Sequence, residues 1–92
     1  MKIVMIGAGN VATNIAKTLA NVGETPVQIW SRTLASAEAL ANAVDTCATS
    51  DWDSVVKDAD VYIVAVKDDA MLNVIDLLCA HCKHGVFVHT AG

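Results

Sequence analysis

The chain opens on an apolar run, Lys2-Ile3-Val4-Met5-Ile6, that breaks at once into Gly7-Ala8-Gly9-Asn10-Val11-Ala12. The residues after it change to a helical period. Strand, G-x-G-x-x-A turn and helix, in that order, constrain the fold more than any other feature, because each position has a physical job. Gly7 permits the tight turn off the strand. Gly9 has no Cβ, so a pair of linked phosphates can lie against its backbone. Ala12 is small enough for the helix to pack closely on the strand. The unpaired N–H groups of the first helical turn, with the helix dipole behind them, face the same space. In this context the motif predicts a dinucleotide site.

The rest of the chain alternates in the same manner. Val11, Ile15, Leu19 and Val22 mark one face of the first helix, with Ala12 and Ala16 beside them, and Gly23 falls where a helix ends. Pro26, the only proline, precedes a second strand from Val27 to Trp30. Leu34, Ala37, Leu40, Ala41 and Val44 predict a second helix, and Thr46-Cys47-Ala48 a third strand. Asp51 to Asp58 reads as a short helix or turn. Val61 to Val66 is a continuous apolar run of the kind expected of a central parallel strand. Met71, Val74, Ile75, Leu78 and Cys82 outline a last helix, begun at Asp68 or Asp69 and closed near Gly85. Val86-Phe87-Val88 is a final strand. The handedness of parallel crossovers folds this βαβαβ(α)βαβ pattern into a doubly wound α/β sheet of order 3-2-1-4-5, with a crevice between the first and fourth strands.

Composition narrows the function. Ninety-two residues make one domain, residues 1–92, and 54% hydrophobic residues suit a sheet buried on both faces. A net charge of −4 without a basic run argues against nucleic acid or a membrane surface as partner. The first apolar run is interrupted too soon for a signal peptide, and no stretch is long enough to span a bilayer. Three cysteines, an odd number, fit a reducing cytoplasm better than a disulfide scaffold. The chain stops directly after a strand, at His89-Thr90-Ala91-Gly92. A truncated product is therefore expected, whose core is marginal at this size.

The cofactor is read at the end of the second strand. An Asp or Glu there accepts hydrogen bonds from the 2′-hydroxyl of NAD. This chain has Ser31-Arg32-Thr33 instead. A guanidinium grips a 2′-phosphate bidentately and stacks on adenine, whereas a carboxylate repels it. Arg32 is the only arginine in the chain, and the Ser31 and Thr33 hydroxyls complete an anion cradle. The expected cofactor is NADP(H), against the plainer reading of Arg32 as a surface residue.

The stretches IGAGNVA, IWSRT, VAVKDDA and VFVHTAG together resemble the NADP-binding domain shared by reductases dependent on the deazaflavin coenzyme F-420 and by pyrroline-5-carboxylate reductases. Within that group the chain is most similar to bacterial proteins that join this Rossmann-like domain to a helical C-terminal domain. The resemblance covers essentially the whole chain. It implies that Gly7, Gly9, Asn10 and Val11 hold the pyrophosphate and that Ser31, Arg32 and Thr33 hold the 2′-phosphate. It also implies that Val66 and Lys67 line the adenosine and ribose side, and that His89, Thr90 and Ala91 lie near the nicotinamide. His89 departs from the pattern of pyrroline-5-carboxylate reductases proper. The implied partners are a small-molecule substrate and a second copy of the chain, joined through the C-terminal domain.

Other residues carry two readings each. Cys79-Ala80-His81-Cys82, with His84, offers zinc ligands. However, Cys82 falls on the apolar helix face with Cys79 beside it, and no second ligand pair exists, so core packing is preferred. Asp68-Asp69 reads as a helix cap rather than an acid/base pair. Lys67 emerges at a strand's C-terminal end, where open α/β sheets bind ligands, and reads either as a cofactor neighbour or as a solvated lysine. Trp30 and Trp52 read as packing residues. His89, also at a strand end, is the candidate catalytic group, because an imidazole suits proton transfer beside hydride transfer; a structural role is the alternative.

Three functions follow from these expectations. The first is the NADP(H)-binding domain of an oxidoreductase, inactive without the rest of its protein. The second is a non-catalytic NADP(H)-sensing module. The third is a scaffold that has lost its ligand.

Overall fold

In the computed structural model the order of elements is β1 (Ile3–Ile6), α1 (Asn10–Asn21), β2 (Gln28–Trp30), α2 (Leu34–Val44), β3 (Cys47–Thr49), a single 3-10 turn at Trp52–Ser54, β4 (Val61–Val64), α3 (Asp68–His81) and β5 (Val86–His89). The structure describes residues 1–66, 68–82 and 85–90, and of residues 68–71 only the backbone.

All five strands are parallel, in the order β3-β2-β1-β4-β5 that right-handed crossovers demand. Ile6 pairs with Trp30 on one side and Val64 on the other, so β1, β2 and β4 end at one level. The chain leaves β1 first toward β2 and later returns to β4 on its other edge. That reversal opens a crevice above their C-terminal ends.

The absence of polar alternation in β1 has a direct cause: both faces are covered. Val4 and Ile6 join Trp30, Tyr62 and Val64 in a layer under Val74 and Leu78 of α3 and Cys82 just past its end. Met5 joins Ile29 on the opposite face, under Ala12 and Ala16 of α1 and Ala37, Leu40 and Ala41 of α2. At about 25 cal/mol per Å² of apolar area, such doubly covered strands supply most of the driving force for folding.

Several boundaries and faces differ from those expected. β3 lies one residue later, at Cys47–Thr49, because Gln28 of β2 pairs with Cys47. β4 ends at Val64, and Ala65 and Val66 turn to the crevice instead. β5 runs on to His89, opposite Val64. On α1 the fully buried residues are Ala12 and Ala16, whereas Val11, Ile15 and Leu19 are half-buried flanks and Val22, at the helix end, is exposed. The helix lies so near the sheet that only methyl groups fit along the line of contact. Leu34, in the first turn of α2, is also exposed.

Cys82, directly after α3, is buried, with Sγ 3.8 Å from the Val56 carbonyl oxygen, but Cys79 on the helix is exposed, so packing accounts for one thiol and not the other. Helix α3 stops at His81. Gly85 serves the turn into β5: its φ is +100°, and a Cβ there would lie 2.5 Å from the Ala59 carbonyl oxygen. The expected cap at Asp68-Asp69, Lys67, His84 and Ala91 fall outside the described residues or side chains. No helix among the described residues is long and apolar enough to cross a membrane.

Candidate cofactor-binding site

A cleft of about 540 Å³ opens above the C-terminal ends of β1, β2 and β4. Gly7, Ala8 and Gly9 form one end, and Ser31, Arg32 and Thr33 follow β2 into it. Ala65 and Val66 enter after β4, and Asn73, Val74 and Leu77 of α3 line it with Trp30 and Trp52. Its volume is that of an ordinary small-molecule site.

The glycine turn is built by backbone contacts. Gly7 donates its N–H to the Trp30 carbonyl at 2.6 Å, which ties the end of β1 to β2. Its φ of +119° is one that side-chain-bearing residues rarely adopt, and a Cβ there would collide with the Ala65 carbonyl oxygen. Gly9 is different. It is extended (φ −79°, ψ −166°) and is the N-cap of α1. Apart from its chain neighbours, a Cβ on it would meet no atom of the described residues within 4 Å, so the space over Gly9 is open.

The first intrahelical bond of α1 runs from the Thr13 N–H to the Gly9 carbonyl at 2.9 Å. The N–H groups of Asn10, Val11 and Ala12 therefore have no acceptor within the helix, no side chain caps them, and the first turn holds no acid. Asn10 and Val11 stand directly after the lining without forming part of it. At α2 the Thr33 side chain makes no cap bond, and the Ser36 and Ala37 N–H groups reach only its carbonyl. Ser31 Oγ accepts from the Thr33 N–H at 3.3 Å, which curls the chain so that Arg32 stands between two helix starts. Arg32 is exposed and, among the described residues, forms no ion pair. It is the sole charged residue of the described lining.

An anionic ligand fits this arrangement on three counts. Among the described residues, the space over Gly9 is open, two helix starts offer uncapped donors, and the one charge of the lining is a cation. Of the residues expected near a nicotinamide, His89 and Thr90 are not part of the described lining. His89 is exposed at the end of β5, outside the lining. Thr90 donates its N–H to the Val64 carbonyl at 3.0 Å, while its buried Oγ1 has no partner among the described residues. Lys67 and Ala91 lie outside the described residues.

Trp52, Asn73, Val74 and Leu77 also line the cleft, which the sequence reading did not anticipate for any of them. Trp30 and Trp52 stack at 4.3 Å between ring centroids. The packing reading holds for Trp30, 3% exposed in the core, and Trp52 packs against that core, yet both indoles also form cleft wall. The helical period of α3 marks Val74 and Leu78 as buried, but nothing in it shows that Asn73 and Leu77 face a ligand space.

Fold and site together define a dinucleotide-binding domain of the doubly wound, Rossmann-like class. The family profile of NADP oxidoreductases, coenzyme F-420-dependent, matches residues 2–91, and the chain belongs to that family. Its cofactor is accordingly NADP(H). Among solved structures, the chain is similar to a Bacteroides fragilis protein described as an NADP oxidoreductase, at 42% identity and TM-score 0.91, over 98% of this chain and 35% of that one. A pyrroline-5-carboxylate reductase from Coxiella burnetii is 26% identical with TM-score 0.79, over 97% of this chain and 35% of that one. An imine reductase from Myxococcus stipitatus, in complex with NADP+, shares the fold at 24% identity and TM-score 0.77, over 99% of this chain and 32% of its own. The chain thus spans about a third of the length of these structures. No curated protein matches it.

Proposed function

We propose that this chain holds NADPH along the C-terminal edge of its sheet, as the cofactor-binding part of an oxidoreductase that transfers hydride to a small substrate. The observation that carries this reading is the placement of Arg32 as the one charge of the described lining in a cleft that also holds the open glycine turn. The first-turn N–H groups of α1 receive the pyrophosphate, and the Arg32 guanidinium, flanked by Ser31 and Thr33, receives the 2′-phosphate. Bound NADPH supplies the hydride; the chain supplies position and electrostatics. The substrate is bound largely by residues beyond this chain, a reading supported by the threefold greater length of the related structures.

Calorimetric titration with NADPH and NADH tests it. Wild-type protein prefers NADPH. Arg32→Ala loses about 1.5–3 kcal/mol of NADPH binding, the range of a charge-assisted hydrogen bond, and leaves NADH within about twofold. Equal losses for the two cofactors would remove the 2′-phosphate role from Arg32.

A further inference from the structure

We propose that Trp52 is a base-binding residue: its indole walls the end of the cleft that receives the purine. This inference rests on the nucleotide reading above. With phosphates at the glycine turn and at Arg32, the remaining described lining is mostly apolar, with Trp30, Trp52, Val74 and Leu77 beside the polar Asn73. A purine is flat and apolar on its faces, and aromatic side chains are its usual neighbours. Trp30 can offer it little, being only 3% exposed. Trp52 is half-buried, so it is the indole with ring surface left for a ligand.

The position of Trp52 is set by the protein before any ligand arrives. Gln28, the buried polar side chain of β2, donates from Nε2 to the Ser54 carbonyl at 2.8 Å and accepts at Oε1 from the Val56 N–H at 2.9 Å. Both contacts clamp the 3-10 turn onto the sheet. Asp51 Oδ1 caps the turn by accepting from the Asp53 N–H at 3.0 Å, and Thr49 Oγ1 accepts from the Asp51 N–H at 3.1 Å. Trp52 is further held on Trp30 and lies 6.3 Å from the His81 ring of α3. A wall fixed in this way loses little freedom on binding, which is the condition for a stacking surface to raise affinity.

The test uses the full chain with NADPH and with adenosine 2′,5′-bisphosphate, which carries the base and 2′-phosphate but no nicotinamide. Trp52→Ala is expected to weaken both ligands by the same factor, about tenfold, and Trp52→Phe by less than about threefold. Should Trp52→Ala fail to melt cooperatively, Trp52→Leu keeps the apolar bulk, and its loss is expected to fall between the other two. A second readout leaves Trp52 itself unchanged. The chain has two tryptophans, so in Trp30→Phe the emission comes from Trp52 alone, and it is expected to respond to the bisphosphate with the calorimetric Kd. If wild type binds both ligands while folded Trp52 variants bind them equally well and the emission is silent, the wall assignment is overturned and the nucleotide reading stands. If wild type binds neither, both fall.

Discussion

The Ala65 carbonyl oxygen, just past β4, occupies the space that a Cβ on Gly7 would need. The contact joins the ends of the two central strands, because the Ala65 N–H donates to the Ile6 carbonyl at 2.8 Å while Gly7 binds the Trp30 carbonyl. A backbone carbonyl fixed in this way cannot yield as a flexible side chain would. Gly7→Ala is therefore expected to cost about 3 kcal/mol or more, through collision and an unfavourable φ together. Urea denaturation checks this; a loss below 1 kcal/mol would mean that the strand ends can separate.

Gly9→Ala should behave in the opposite way. The backbone there is extended and, beyond its chain neighbours, no atom of the described residues lies near the added methyl. Stability is expected to stay within about 0.5 kcal/mol of wild type. The methyl would stand where the phosphates approach the backbone, so NADPH affinity should fall at least about tenfold. Parallel melting and calorimetry separate the two glycines: one protects the fold, the other keeps space for the ligand.

These two glycines show what was legible in the sequence. The turn motif, Ala12 and Arg32 are adjacent in the chain to the elements they belong to, so their places in the cleft and the core follow from local chemistry. The strand order follows from the handedness of crossovers, which does not depend on side-chain detail. Residues whose role depends on distant partners were not legible. Trp52 enters the cleft because Gln28, 24 positions earlier in the chain, clamps its turn to β2. On α1 the period identified the correct side of the helix but not how near it lies to the sheet. That distance makes Ala12 and Ala16, rather than the larger residues, the centre of the contact. Cys79 on α3 and Cys82 just past its end are three positions apart, yet one is exposed and the other buried, because Leu78 and Cys82 take the line facing the sheet.

Tyr62 links the core to the segment that carries the 3-10 turn, and this link has a pH signature. Its hydroxyl donates to the Val56 carbonyl and accepts from the Ala59 N–H at 3.3 Å, while Phe87 meets its ring edge-on at 5.4 Å. Burial, and after it the Cys82 thiol, pushes the phenol well above the ordinary tyrosine value near 10. A group whose folded pKa is raised contributes stability that is fully present below its unfolded pKa and is lost as pH climbs toward the folded value. At pH 7, Tyr62→Phe is expected to lose about 1–3 kcal/mol, because the Ala59 N–H is left without its acceptor in the core. Above about pH 10 the wild-type advantage should shrink by up to ~1.4 kcal/mol per pH unit, since unfolding then releases a proton from the only tyrosine in the chain. Guanidinium unfolding of both proteins from pH 7 to 11 measures the gap. A gap that stays constant across that range would show that Tyr62 keeps its ordinary ionisation and that its hydroxyl is not held as the structure shows.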